Sequence, residues 1–149
     1  MKASIAMKKL ILMFCLLQMA VIPAYSQEIG VRFGNVSGGN VALDAVFSTT
    51  KFSRIHADLS FGDGVAIDLI YDFQYKPLGN EAFDWYVGLG PYSYLGSPFE
   101  LGLIAEIGLE YHFKDIPLAI GGDWRPFLRV IDNTDVGWNG FGLNVRLVL

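Results

Sequence analysis

Between Arg54 and Lys76 the sequence reads RIHADLSFGDGVAIDLIYDFQYK. Apolar and polar side chains alternate on both sides of the central Gly-Asp-Gly. Alternation puts successive side chains on opposite faces of a β-strand, so this stretch is predicted to form a β-hairpin with one apolar and one polar face. The face that meets water then determines the class of protein.

The alternation of apolar and polar positions also predicts the length of the loop in this hairpin. A two-residue turn at the Asp-Gly pair would place charges on the apolar face. A three-residue loop instead sets Arg54 opposite Asp72 and Asp58 opposite Asp68, and Gly64 suits the left-handed position of such a loop. We therefore predict the three-residue loop, in which two acids face each other.

The composition is that of one apolar, glycine-rich domain. The chain has 149 residues, of which 52% are hydrophobic, 14% aromatic and only 17% charged, with 17 glycines. Soluble domains usually have about 25% charged residues. The chain is apolar overall, yet single charges interrupt it throughout.

The first 26 residues are predicted to be a secretory signal peptide. Three lysines precede the apolar run 10–22, and small residues follow at Ala24 and Ser26. That run is shorter than the roughly 20 residues that a membrane helix needs. The sole cysteine, Cys15, lies inside it, so residues 27–149 are expected to need no disulfide or thiolate. Loss of the lysines changes the formal charge from −4 to −7, which argues against a nucleic-acid partner.

The rest of the chain shows strand periodicity and no helical periodicity. Eight strand-like runs can be marked, at 28–35, 41–48, 54–61, 65–76, 83–92, 100–113, 117–127 and 139–149. Turn residues lie between them. Eight alternating strands with short connections predict an all-β, up-and-down antiparallel barrel or a sandwich.

Three features favour a barrel whose apolar face is outside, in lipid, over a soluble lipocalin-like carrier with an apolar interior. The polar face is rich in glycine, which a narrow interior needs beside large side chains. The apolar face is almost free of charge. Aromatic residues collect near the strand ends, as in the girdles of membrane barrels. The predicted girdle contains Phe73, Tyr75, Trp85, Tyr111, Phe113, Trp124, Trp138 and Phe141.

The chain ends in GFGLNVRLVL, residues 140–149, an alternating strand that runs to the last residue. With the eight-strand pattern, this ending resembles the small eight-stranded outer-membrane barrels of the OmpA/OmpX type, although their last strand usually ends in Phe or Trp. The resemblance implies a transmembrane β-barrel in a Gram-negative outer membrane. The implied partners are outer-membrane lipid, lipopolysaccharide and the barrel-assembly machinery, which would recognise the last strand. A monomer is expected.

In this register an excess of acids points into the barrel. The predicted interior charge network contains Arg32, Asp44, Arg54, Asp58, Asp68, Asp72, Glu106, Glu110, Asp123, Arg125 and Arg146. Isolated buried charges are costly, so these groups are expected to pair as a structural plug. A porin-like path for ions or small solutes is the alternative. We predict that Arg32, Arg125 or Arg146 reaches the facing acids across the interior.

A two-residue turn at Lys114-Asp115 is predicted next, setting Tyr111 against Leu118 and Glu106 against Asp123. Outer loops are expected at 92–99 and 128–138. A lipid-modifying enzyme is a further alternative, but neither His56 nor His112 is in an H-x-S pair, so no catalytic residue is predicted. His56 and Asp58 offer only two metal ligands, so no metal or cofactor is expected.

Overall fold

The computed structural model describes residues 27–36, 39–79 and 82–149, and the predicted signal peptide lies outside them. These residues form ten strands and no helix. The strands are β1 (Gln27–Val36), β2 (Gly39–Thr50), β3 (Ser53–Phe61), β4 (Val65–Pro77), β5 (Phe83–Leu95), β6 (Glu100–His112), β7 (Leu118–Trp124), β8 (Phe127–Ile131), β9 (Asp135–Gly137) and β10 (Phe141–Val148). In this part of the chain, therefore, no helix is long and apolar enough to cross a membrane.

Eight of these strands close into an antiparallel barrel. Their order is β5-β4-β3-β2-β1-β10-β7-β6, and a pairing between β5 and β6 completes the circle. The predicted all-β, eight-stranded antiparallel barrel is confirmed. We call the end that carries Gln27 and Leu149 the termini end, since Leu149 N donates to Gln27 O there. The opposite end is the distal end.

Two short strands extend the wall at the distal end. β8 pairs with β6 in the same register as β7 does. Ile107 of β6 faces Trp124 of β7, and Ile104 of β6 faces Phe127 of β8. β9 then pairs back onto β8. Pro126, which has no N–H, separates β7 from β8, although its carbonyl still accepts from Ala105 N at 2.9 Å. The predicted loop 128–138 is thus wrong: most of it is a hairpin.

The β3–β4 hairpin has the predicted register. Arg54 faces Asp72 and Asp58 faces Asp68 across a three-residue loop. The prediction that Gly64 takes a left-handed backbone conformation was wrong, because its φ is not in that region. A Cβ at Gly64 would lie 2.9 Å from the Tyr94 ring, so close packing is what favours glycine there.

The predicted β6–β7 register is wrong by two residues. Tyr111 faces Ile120 instead of Leu118, and Asp123 faces Gly108 instead of Glu106. The connection spans four residues, 114–117, and Phe113 N donates to Leu118 O at 3.0 Å. Pro117 cannot donate to the ladder, and pairing starts at Leu118, two residues later than the Lys-Asp turn signal suggests.

The two faces of the barrel have opposite polarity. Leu43, Leu69 and Leu143 on the outside are 56%, 48% and 67% exposed. Inside, the described residues contribute 16 buried polar or charged side chains and only eight buried hydrophobic ones. The predicted assignment of faces therefore agrees with the structure.

Aromatic side chains on the outer face form two clusters. Phe83, Tyr111 and Phe113 are in successive ring contact at the termini end, with centroids 5.0 Å apart. Nearer the distal end, Trp124 stacks on Trp138 and Phe141 at 6.2 Å. The predicted girdle members Phe73 and Trp85 also lie on the outside.

Tyr75 is the exception to the predicted girdle. Pairing of β4 with β5 shifts between Asp72 and Gln74, so β4 carries a bulge at Phe73. The extra residue reverses the parity that follows, and Tyr75 pairs with the buried Tyr86. Its ring lies over the Arg54 guanidinium in the interior. The prediction of Tyr75 as a lipid-facing residue was wrong.

Candidate functional site in the barrel interior

The predicted interior charge network lies inside the barrel and is buried throughout. Its eleven members are all no more than 6% exposed. Glycines on neighbouring strands provide the space: a Cβ at Gly108 would lie 2.3 Å from the Tyr86 ring, and one at Gly142 would lie 2.4 Å from the Arg32 guanidinium. The predicted role of interior glycines beside large side chains is confirmed at these positions.

Arg54 occupies the termini side of the interior. Its Nε donates to Asp72 at 2.8 Å and its Nη1 to Glu110 at 2.6 Å. The Tyr75 and Tyr86 rings lie 4.3 and 4.4 Å from its guanidinium carbon. Two carboxylates and two aromatic faces thus surround this cation, the arrangement that a planar guanidinium favours.

Arg146 binds three carboxylates. Its Nε donates to Asp44 at 2.7 Å, and its Nη1 donates to Glu110 at 2.7 Å and to Glu28 at 3.3 Å. Glu110 therefore bridges Arg54 and Arg146. Glu28 was absent from the predicted network, although the parity of β1 places it on the same face as Arg32.

His56 lies at the centre between two carboxylates. One ring nitrogen contacts Asp44, and Nδ1 lies 2.8 Å from Glu106. Ionised carboxylates only accept hydrogen bonds, so both ring nitrogens must donate and the imidazole must carry a proton. His56 is thus an internal cation in this arrangement.

Arg125 lies beside Asp58 and Asp68, the two acids that face each other across β3 and β4. Its Nη1 donates to Asp58 and lies 3.8 Å from Asp68, while its Nε donates to Glu106 at 2.9 Å. The prediction that an arginine from another wall reaches this acid pair is confirmed. The second predicted acid pair does not form, because the β6–β7 register differs.

Arg32 and Asp123 form the distal ion pair. Arg32 donates to Asp123 from Nε at 2.9 Å and from Nη2 at 2.6 Å, and its remaining donors reach the carbonyls of Asn35 and Gly140. Asn144 donates to the other Asp123 oxygen at 3.2 Å. Asn144 is an uncharged member of the network that charge counting missed.

Acids outnumber bases in this interior. Of the described ionisable side chains that are buried, eight are acids, four are arginines and one is His56. Several buried oxygens have no hydrogen-bond partner, namely Asp58 Oδ1, Asp68 Oδ1, Asp72 Oδ1, Tyr92 OH and Asn144 Oδ1. The four arginines therefore match only half of the eight acids in number, and His56 adds one further cation.

Some of these groups are close enough to hold a metal ion. Three sets have ligand atoms within 4.8 Å of one another: Glu28, Glu110 and His112; Asp44, His56 and Asp58; and His56, Asp72 and Glu106. Sequence spacing predicted only the His56–Asp58 pair, because Asp44 comes from the neighbouring strand β2. Most of these carboxylates already accept from arginine, so a metal would have to displace those contacts.

A cavity of about 400 Å³ opens at the distal end of the interior. We call it the distal cup, and its walls include Arg32, Asp68, Tyr92, Ile104, Arg125 and Phe127. Below it, Arg125, Arg146 and Arg54 with their carboxylates fill the interior at successive levels, each arginine no more than 2% exposed.

The fold and site together define a closed antiparallel barrel with a charged, side-chain-filled interior and an apolar exterior. No protein-family model, curated protein or solved structure matches this chain.

Proposed function

We propose that this chain is an integral outer-membrane β-barrel protein with a structural or interaction role at the cell surface. The observation that carries the proposal is the continuous apolar exterior. Outward side chains such as Ile29, Leu43, Leu103 and Leu143 are 46–67% exposed. Monomeric soluble proteins rarely expose apolar patches of more than a few hundred Å², whereas a lipid environment favours such a face.

The two aromatic clusters support the same placement. Tyrosine and tryptophan favour the boundary between hydrocarbon and water, and membrane barrels carry such rings at two levels. The Phe83–Tyr111–Phe113 cluster would lie at the periplasmic boundary and the Trp124–Trp138–Phe141 cluster nearer the outer one. Residues 1–26 would direct export, and β10 would be recognised by the barrel-assembly machinery.

The filled interior favours a structural or interaction role over conduction. Arg54, Arg125 and Arg146 each bridge carboxylates from different strands, so their side chains cross-link the walls. A solute would have to break these buried ion pairs in order to pass. The surface available to a partner is then the distal end, with its β8–β9 hairpin.

Cell fractionation tests the membrane placement. The chain is expected in the outer-membrane fraction, and the unheated protein should migrate differently from the boiled protein on a detergent gel. A soluble periplasmic marker provides the control for leakage. Recovery with that marker, with no heat-dependent shift, would overturn the proposal.

Tryptophan quenching by brominated lipids tests the same proposal with residue resolution. Trp85, Trp124 and Trp138 all lie on the outer face. In a purified, reconstituted variant that keeps only Trp124, lipid-borne bromine should quench the fluorescence strongly, whereas aqueous acrylamide should quench it weakly. The same chain in lipid without bromine is the control. Quenching by acrylamide alone would place this face in water.

A further inference from the structure

The two arginines that line the distal cup are both engaged with carboxylates. Arg32 uses its nitrogens on Asp123 and on the Asn35 and Gly140 carbonyls. Arg125 donates from Nε to Glu106 and from Nη1 to Asp58, and its Nη2 lies 3.1 Å from a ring nitrogen of the buried His56. Because carboxylates already neutralise both guanidinium charges, these arginines do not favour an anionic ligand in the cavity.

Two acids line the distal cup: Glu100 accepts a hydrogen bond from Arg129 at 2.9 Å, whereas Asp68 remains available. It is only 4% exposed, and its Oδ1 has no hydrogen-bond partner. Its nearest cation, Arg125 Nη1, lies 3.8 Å from Oδ2, beyond hydrogen-bond distance. The hydroxyl of Tyr92, which faces Asp68 on the adjacent strand, is also buried without a partner. A buried carboxylate in this condition is costly unless a donor reaches it.

The wall beside Asp68, formed by β5, β6 and β8, carries an apolar cluster. Tyr92 and Phe127 meet edge to face with centroids 5.5 Å apart, and Ile104 packs in the same cluster. A bare metal ion would leave this wall unused. The volume of about 400 Å³ is in the range of small-molecule sites.

We propose that the distal cup binds a small organic cation, with a primary ammonium group donating to Asp68 and Tyr92 and a short apolar body packed on Phe127 and Ile104. This proposal goes beyond the membrane role, because the cup has the same lining whether or not the exterior meets lipid. A failed fractionation experiment would leave the cup proposal standing, and the reverse also holds.

Calorimetric titration of the purified full chain in a zwitterionic detergent tests it, with n-butylammonium as the probe. Butylammonium should bind, whereas n-butanol and pentanoate, which carry the same butyl group, should bind at least tenfold more weakly. Titration into micelles without protein corrects for partition into detergent. Equal binding of all three probes would overturn the proposal.

Two variants locate the site. Asp68→Asn keeps the shape of the side chain and should weaken butylammonium binding at least tenfold. Asp63→Asn removes an exposed carboxylate at the same end of the barrel, outside the cup, and should leave the affinity unchanged. An unchanged affinity in Asp68→Asn would overturn the proposal.

A series of n-alkylammonium ions of increasing chain length tests the proposal without a variant, in case Asp68→Asn does not fold. In the unmodified chain, affinity should rise by up to about fourfold for each added CH₂ from ethylammonium onward, until the cup is full. A protein-free micelle series provides the baseline. Affinity that merely follows that baseline would show partition into detergent and overturn the proposal.

Discussion

The middle of the barrel interior and its distal mouth share one polar face but treat their acids differently. In the middle, Asp58 accepts from Arg125 and Glu106 accepts from both Arg125 and His56. At the mouth, Asp68 faces Asp58 across the ladder, and its Oδ1 has no hydrogen-bond partner. Burial is similar at 3% and 4%, so the difference comes from the direction in which Arg125 points. Neighbouring positions in one register can thus serve stability or remain open to a ligand.

Removal of Arg125 should destabilise the middle of the barrel interior more than any of the other substitutions below. Arg125→Met is expected to lower the free energy of unfolding by about 3–5 kcal/mol, because Asp58 and Glu106 would stay buried without their cation. Urea unfolding of the refolded protein in micelles, followed by circular dichroism, measures the loss. Arg129→Met provides the control, since Arg129 pairs with Glu100 and Asp135 near the surface and should have little effect. Equal losses in both variants would contradict the contrast.

Glycine substitutions compare the packed interior with the open exterior. A Cβ at Gly108 would overlap the buried Tyr86 ring, whereas one at Gly122 would meet Leu143 at an ordinary 3.4 Å. Gly108→Ala should cost about 1–3 kcal/mol of stability through overpacking. Gly122→Ala should be neutral or slightly stabilising, since alanine has less backbone entropy to lose. The same unfolding measurement tests both variants. A large loss of stability in Gly122→Ala would show that the exterior is also tightly packed at this position.

The facing acids give the smallest and most direct comparison. Asp58→Asn should cost about 1–3 kcal/mol because it removes a charge-assisted hydrogen bond from Arg125. Asp68→Asn should change stability by less than about 1 kcal/mol, in the stabilising direction, because like charges opposite each other repel. Paired unfolding curves of the two variants provide the measurement. A larger loss in Asp68→Asn would mean that Asp68 already has a partner.

Strand-level features were predictable where local pattern controls them. The β3–β4 register followed from parity, because a one-residue slip would have moved every charge to the apolar face. The β6–β7 register was missed because a slip of two residues preserves both faces, so parity cannot detect it. Tyr75 was misplaced because a bulge changes parity without any mark in the alternation. The β8–β9 hairpin was missed because the turn residues at 132–135 were interpreted as part of one long outer loop, 128–138.

The sequence by itself determined the strands, the two faces and the identity of the buried charges, since period-two alternation is a local property of each strand. Only the tertiary structure decided which charges meet. Arg125 reaches Asp58, 67 residues away, and Glu106, 19 residues away, only once the barrel has closed. That Asp68 Oδ1 has no donor is decided in the same way, because closure of the barrel directs the donors of Arg125 at Asp58 and Glu106.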